Sequence, residues 1–114
     1  NHLPVFFIEK SKKNLIEEIS SKVKKAIFPE TNTSISCPAL ITALSTRLKK
    51  AITIDNGIMH MMNLANIPLI TLFGPTNSDK FAPKKRNVII LDSKKLYDSN
   101  DISKITETDV LREI

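Results

Sequence analysis

Asp55, Asn56, Gly57 and His60 stand within one short stretch, IDNGIMH, residues 54–60. An acid, an amide, a glycine and a histidine at this spacing can grip an anion where a strand ends and a helix begins. A glycine at a helix start lets a ligand come close to the backbone. The N–H groups of the first helical turn have no acceptor inside the helix and attract phosphate. Asn56 and Gly57 suit that task. Asp55 would repel a phosphate and is better matched to sugar hydroxyls, whose hydrogen bonds it can accept. His60, one turn into the helix, can donate to a phosphate or to a hydroxyl. Each piece also has a plain alternative: Asp-Asn-Gly is a common turn string, and a lone helix histidine is more often packed or solvated than ligand-bound. What lies on either side decides between the two.

Before the stretch comes AITI, residues 51–54, short and rich in β-branched side chains, which reads as a strand. After it comes GIMHMMNLANI, in which Ile58, Met61, Met62 and Ala65 recur at helical spacing and can face a sheet; Met59, Met61 and Met62 read as packing residues. Pro68 stops that helix. LITLF, residues 69–73, reads as the next strand, closed by the Gly74-Pro75 breaker, with Thr76 placed to cap a turn. In an open parallel sheet ligands bind outside the carboxyl ends of the strands. Asp55 and Gly74 both fall at such ends, so Asp55 to His60 and Gly74 to Thr76 are expected to share one crevice.

The same alternation runs along the rest of the chain. VFFI, residues 5–8, and AIF, residues 26–28, read as strands; NLIEEISSKVKK and PALITALSTRLKK read as helices with apolar stripes and lysines toward their C-terminal ends. VIIL, residues 88–91, reads as a last strand and TETDVLREI as a terminal helix that starts at Thr106 or Thr108. Residues 77–86 and 92–101 read as loops, the most mobile parts of the chain. Strands alternating with helices over short connections predict an α/β domain with a parallel sheet and helices on both faces.

With 114 residues, 41% hydrophobic and 25% charged, the chain has the size and composition of a single folded domain, residues 1–114. Its longest apolar runs are far below the roughly 20 residues of a membrane span, and no secretory leader is visible. The abrupt start suggests a piece of a longer chain. One cysteine, Cys37, rules out an internal disulfide and a multi-cysteine zinc site, and reads as a small residue in or near a helix. No Asp-x-Asp pair or histidine cluster argues for a metal, and no cofactor is expected. The net charge of +5 sits in scattered lysine clusters that favour anionic partners, but these are not interleaved with aromatics, which argues against nucleic acid. An anionic ligand, or a peripheral contact with an anionic membrane surface, fits better.

AITIDNGIMHMMNLANIPLITLFGPTNSDKFAP resembles the C-terminal signature of glycosyltransferase family 9, the bacterial lipopolysaccharide heptosyltransferases: a strand, then Asp, a hydroxyl residue, Gly-x-x-His, a helix, a proline-led strand and Leu-Phe-Gly-Pro-Thr. The likeness is strong from Ala51 to Thr76 and looser elsewhere. It implies a Rossmann-like fold, one lobe (C-terminal) of a GT-B glycosyltransferase, in which this lobe holds a nucleotide-sugar donor. By that resemblance Asp55 contacts the donor sugar, Asn56, Gly57 and His60 line the diphosphate and sugar, and Gly74, Pro75 and Thr76 shape the neighbouring loop. Glu9, after the first strand, matches an acid near the nucleoside, and reads equally well as a helix-start acid.

The implied reaction is a metal-independent inverting transfer of a heptose or related sugar from an ADP-linked donor to the lipopolysaccharide inner core, at the cytoplasmic face of the inner membrane. The catalytic base is expected on an N-terminal lobe outside these residues, so this chain alone should not turn over. Asn56 departs from the family's Ser or Thr. Two other readings remain open: a nucleotide- or anion-binding Rossmann-like module without catalysis, and the lobe of another GT-B enzyme such as a nucleotide-sugar epimerase.

Overall fold

A computed structural model of the chain describes residues 2–32 and 38–114. Their contacts divide the chain into two compact units, Asn1–Leu40 and Ile41–Ile114. Cys37 lies outside the described residues.

In the second unit three strands, β1 (Ala51–Ile54), β2 (Leu69–Phe73) and β3 (Val88–Asp92), form a parallel sheet in the order β1-β2-β3. Ala51 pairs with Leu69 and Ile54 with Leu72, while Leu69 pairs with Val88 and Phe73 with Asp92. The central strand β2 is buried through Leu69, Ile70, Thr71 and Phe73, as an apolar run flanked on both sides by strands should be. This is the α/β Rossmann-like arrangement expected of the sequence.

Helix α3 (Gly57–Leu64) links β1 to β2 and packs on both of them. Its buried side is centred on Met59 and Met62, while Ile58, Met61 and Ala65, three positions expected to face the sheet, are half-buried. Thr71 shows the contact directly: its hydroxyl donates to the Met59 sulfur at 3.0 Å in the buried layer between helix and sheet. The helix ends at Ala65, and Asn66 takes the left-handed conformation, φ 57°, that releases the chain into Ile67 and Pro68.

Residues 77–86 and 92–101 do not run as plain loops. They hold two short helices, α4 (Ser78–Phe81) and α5 (Ser93–Tyr97). Each is started by a side chain that accepts backbone N–H groups: Asn77 from Asp79 and Lys80, at 3.0 and 3.3 Å, and Asp92 from Lys94, at 2.9 Å. Four or five residues are too few to show an apolar period, so only the capping residues marked them. The terminal helix α6 (Glu107–Leu111) has the expected start at Thr106, with a reciprocal capping box between Thr106 and Asp109.

Two expectations at the amino-terminal side are corrected. Residues 5–8 and 26–28 do not form extended strands; they meet in one isolated parallel bridge, Val5 with Ile27, made by Phe6 N to Ile27 O at 2.8 Å and Ile27 N to Pro4 O at 3.0 Å. Pro4 has no N–H to give, and Pro29 turns the chain into a 3-10 segment, Pro29–Asn32, so the ladder cannot grow. Helix α1 (Lys13–Lys22) stops short of Lys25 because Val23 turns extended.

Helix α2 (Pro38–Ser45) stops short of Lys50. The Ser45 hydroxyl donates to Ile41 O at 2.7 Å and that of Thr46 to Ala43 O at 2.6 Å, taking carbonyls of the last turns. The backbone then tightens, with Arg47 N to Leu44 O at 3.1 Å and Leu48 N to Ser45 O at 3.0 Å.

Candidate functional site

The carboxyl edge of the sheet gathers the ends of all three strands. At β1 the ladder continues one step past Ile54, because Asp55 N donates to Leu72 O at 3.1 Å. That bond fixes Asp55, half-buried, beside the end of β2. Asn56 is fully extended, φ −158° and ψ −177°, and its Oδ1 accepts from Met59 N at 3.2 Å. It is therefore the N-cap of α3, the task that a Ser or Thr hydroxyl performs at a helix start. The departure at this position from the resembled pattern keeps the local fold. An extended Asn56 and a helical Gly57 also exclude a hairpin-type Asp-Asn-Gly turn, which would need positive φ at its centre.

The chain has two glycines, and they differ in kind. A Cβ built on Gly74 would stand 2.9 Å from Ile102 Cβ and 3.0 Å from both Asn100 O and Ile102 N, so this buried glycine is required by the close passage of residues 100–102. Gly57 is exposed, is not in a left-handed conformation, and a Cβ there would meet nothing within 4 Å. Neither backbone conformation nor internal packing asks for a glycine at the first residue of α3. The N–H groups of Gly57 and Ile58 lie in the turn that has no intrahelical acceptors. The absence of a side chain on this exposed residue suits close approach of an anionic group to that turn.

The structure thus brings Asp55, Asn56, Gly57 and His60 together with Gly74, Pro75 and Thr76 along one edge, at the ends of neighbouring strands. His60 is exposed on α3, Pro75 is exposed and Thr76 is half-buried. Glu9 belongs to the first unit. There it is exposed, its carboxylate accepts from Ser11 Oγ at 3.3 Å, and its carbonyl accepts from Lys12 N at 2.9 Å. Those are the local bonds of a turn before α1.

Two residues of this edge escaped the sequence reading. Asp92 closes β3 and is buried at 5% exposure; one carboxylate oxygen accepts from Lys94 N, and the other is tightly bound by the hydroxyl of Ser78, itself buried. This pair ties the start of α4, just after the Gly74-Pro75-Thr76 segment, to the end of the third strand. The signal for it was present: an acid directly after VIIL stands at a strand's carboxyl end, as Asp55 does after AITI. No helical period follows Asp92, so the sequence by itself reads as a loop there.

The model of one protein family, glycosyltransferase family 9 (heptosyltransferase), matches residues 5–110. No curated protein and no solved structure matches the chain.

Proposed function

Because the chain belongs to glycosyltransferase family 9, we propose that it is the donor-binding lobe of an inverting transferase that moves a heptose or related sugar from an ADP-linked donor. Family membership implies a nucleotide-sugar donor and an acceptor in general. The ADP linkage, the lipopolysaccharide inner core as acceptor, and a peripheral place at the cytoplasmic face of a bacterial inner membrane are the finer parts of the reading.

The observation that carries it is Gly57, a glycine that nothing inside the chain requires, set at the exposed N-terminus of α3 on the carboxyl edge of a parallel sheet. In this reading the diphosphate lies over the first turn of α3, with the amides of Gly57 and Ile58 and the imidazole of His60 as donors. Asp55 accepts hydrogen bonds from the donor sugar. The segment Gly74 to Thr76 forms the facing wall, held by the packing of Gly74 and by the Ser78–Asp92 pair.

The chemistry follows from these roles. A carboxylate on a second lobe takes the proton of the acceptor hydroxyl, whose oxygen attacks the anomeric carbon from the face opposite the diphosphate. The bond from the anomeric carbon to the diphosphate oxygen breaks, and the electron pair leaves with the diphosphate. Charge grows on that oxygen in the transition state, and fixed N–H donors aimed there lower the barrier without reorganising.

The test is a titration with ADP and, separately, UDP, followed by backbone amide shifts in the wild-type chain and in Gly57→Val and Asp55→Ala. Selective ADP shifts at Asn56, Gly57 and His60 are expected, with loss in Gly57→Val. A Cβ at position 57 meets nothing within 4 Å, and an unchanged amide spectrum of the free variant outside the first turn of α3 shows that the loss reports on the ligand. Absence of shifts with either nucleotide sinks the donor-lobe reading for this chain and favours a module without that role.

A further inference from the structure

Gly74 to Asn77 run from the end of β2 to the start of α4 on the carboxyl edge, and one residue holds both ends of this short loop. Before the loop, Phe73 is fully buried and in register with Asp92 at the last step of the β2–β3 ladder. After it, the Ser78 hydroxyl donates to Asp92 Oδ2. Asp92 Oδ1 accepts from Lys94 N at 2.9 Å, so the first turn of α5 aims the carboxylate at the loop. Asp92 is 5% exposed and Ser78 2%, too deep for either to touch a ligand. The fold has other supports at these points: β3 pairs with β2 from Val88 to Asp92, and Asn77 caps α4 by itself. What the side-chain bond adds is a fixed span for the loop between them. Within that loop Thr76 is half-buried, and its hydroxyl makes no hydrogen bond among the described residues.

We propose that Asp92 is a positioning residue for the donor site: through Ser78 it holds Gly74 to Asn77 in the placement from which the loop, with the Thr76 hydroxyl as its polar group, meets the nucleotide-sugar. The inference rests on the reading of the carboxyl edge as that site. A short loop held at one end only takes up several placements, and apparent affinity falls with the fraction that is competent to bind. A buried bond from a hydroxyl to a carboxylate keeps that fraction large, since breaking it leaves a buried acceptor without a partner. The role is one of geometry rather than of charge on the ligand, because the carboxylate is buried and its two oxygens are taken by Ser78 and by Lys94 N.

The test is ADP titration, followed by backbone amide shifts, of the wild-type chain and of Ser78→Ala, Asp92→Ala, Asp92→Asn and Ile70→Val. Ser78→Ala and Asp92→Ala should each weaken binding roughly tenfold and should move the amide signals of Gly74, Thr76 and Asn77 in the free protein. Asp92→Asn should rescue the affinity that Asp92→Ala loses, because its oxygen can accept from Lys94 N and its amide can donate to the Ser78 oxygen. Ile70→Val, which trims a fully buried side chain of β2 outside the loop, is the control for stability: urea unfolding should show it destabilised while its ADP affinity is kept. If Ser78→Ala does not fold, Ser78→Cys keeps the size with a weaker donor and should show the same loss in smaller degree. Unchanged affinity in the folded Ser78 variant, or an equal loss in Ile70→Val, overturns the positioning role while the wild-type shifts still support the donor reading. An Asp92→Asn variant as weak as Asp92→Ala overturns it too, and assigns the effect to charge. Absence of wild-type shifts overturns the donor reading and this inference with it.

Discussion

The two glycines make opposite demands on a methyl group. Gly57→Ala adds a Cβ into open space at a helical position, so it should raise stability by about 0.4–1 kcal/mol by restricting the unfolded chain. It should at the same time weaken ADP binding by crowding the first turn of α3. Gly74→Ala pushes a Cβ against Ile102 Cβ and against the backbone of Asn100 and Ile102, atoms that cannot rotate away, and should cost about 1–3 kcal/mol. Urea unfolding of the two variants checks the signs. If Gly57→Ala is the destabilising one, position 57 has an internal role and the argument from open space fails. A sequence shows only that both positions lack a side chain; the difference lies in neighbours at positions 100 and 102 for Gly74 and in none for Gly57.

At the scale of elements, the helix end at Tyr97 and the start of α6 are joined by one bond whose pH dependence has two arms. Tyr97 Oη donates to Asp109 Oδ2 at 2.5 Å, and the same carboxylate accepts from Thr106 N at 2.9 Å. The Tyr97 bond, then the Thr106 amide, hold the Asp109 carboxyl below its ordinary value; the Asp109 bond holds the Tyr97 phenol above its own. A depressed carboxyl contributes stability above the ordinary carboxylate range and loses it as pH falls through the depressed value. A raised phenol contributes fully below the ordinary phenol range and loses it as pH rises through the raised value. Tyr97 is the only tyrosine, with no tryptophan beside it in the sequence, so ultraviolet titration of its phenolate is unambiguous. The wild-type phenolate should form at higher pH than in Asp109→Asn; coincident curves would mean that the bond is not kept in solution.

How much could be read beforehand also divides by element. AITI and LITLF gave β1 and β2 with their boundaries, because β-branched runs closed by Asp55 and by Gly74-Pro75 leave little choice. The adjacency of their carboxyl ends followed as well, since β1 and β2 pair directly. VFFI had the composition of a strand, but strands need partners, and prolines at positions 4 and 29 limit the ladder to one bridge. Helices α4 and α5 were hidden because their information is in Asn77 and Asp92, single capping residues that look the same in a loop. With α5 went the Ser78–Asp92 pair, a contact between residues far apart in sequence that no periodicity encodes.

On the scale of the whole molecule, the apolar core is unevenly shared between the two units. The hydrophobic side chains buried among the described residues, from Ala51 and Met59 through Ile70 and Phe73 to Leu91, all belong to the unit Ile41–Ile114. Helix α1 buries none of its residues, and the Val5–Ile27 bridge stands alone. Opening free energy follows buried apolar contact, and backbone bonds with little cover open first. Amide hydrogen exchange should therefore be slowest in β2, slow in β1, β3 and the Met59–Met62 turn of α3, and fast throughout α1. Bound ADP should slow exchange in the first turn of α3. Equal protection across α1 and β2 in the free chain would show that the first unit draws stability from contacts other than its own buried side chains, and this division of the chain would have to be abandoned.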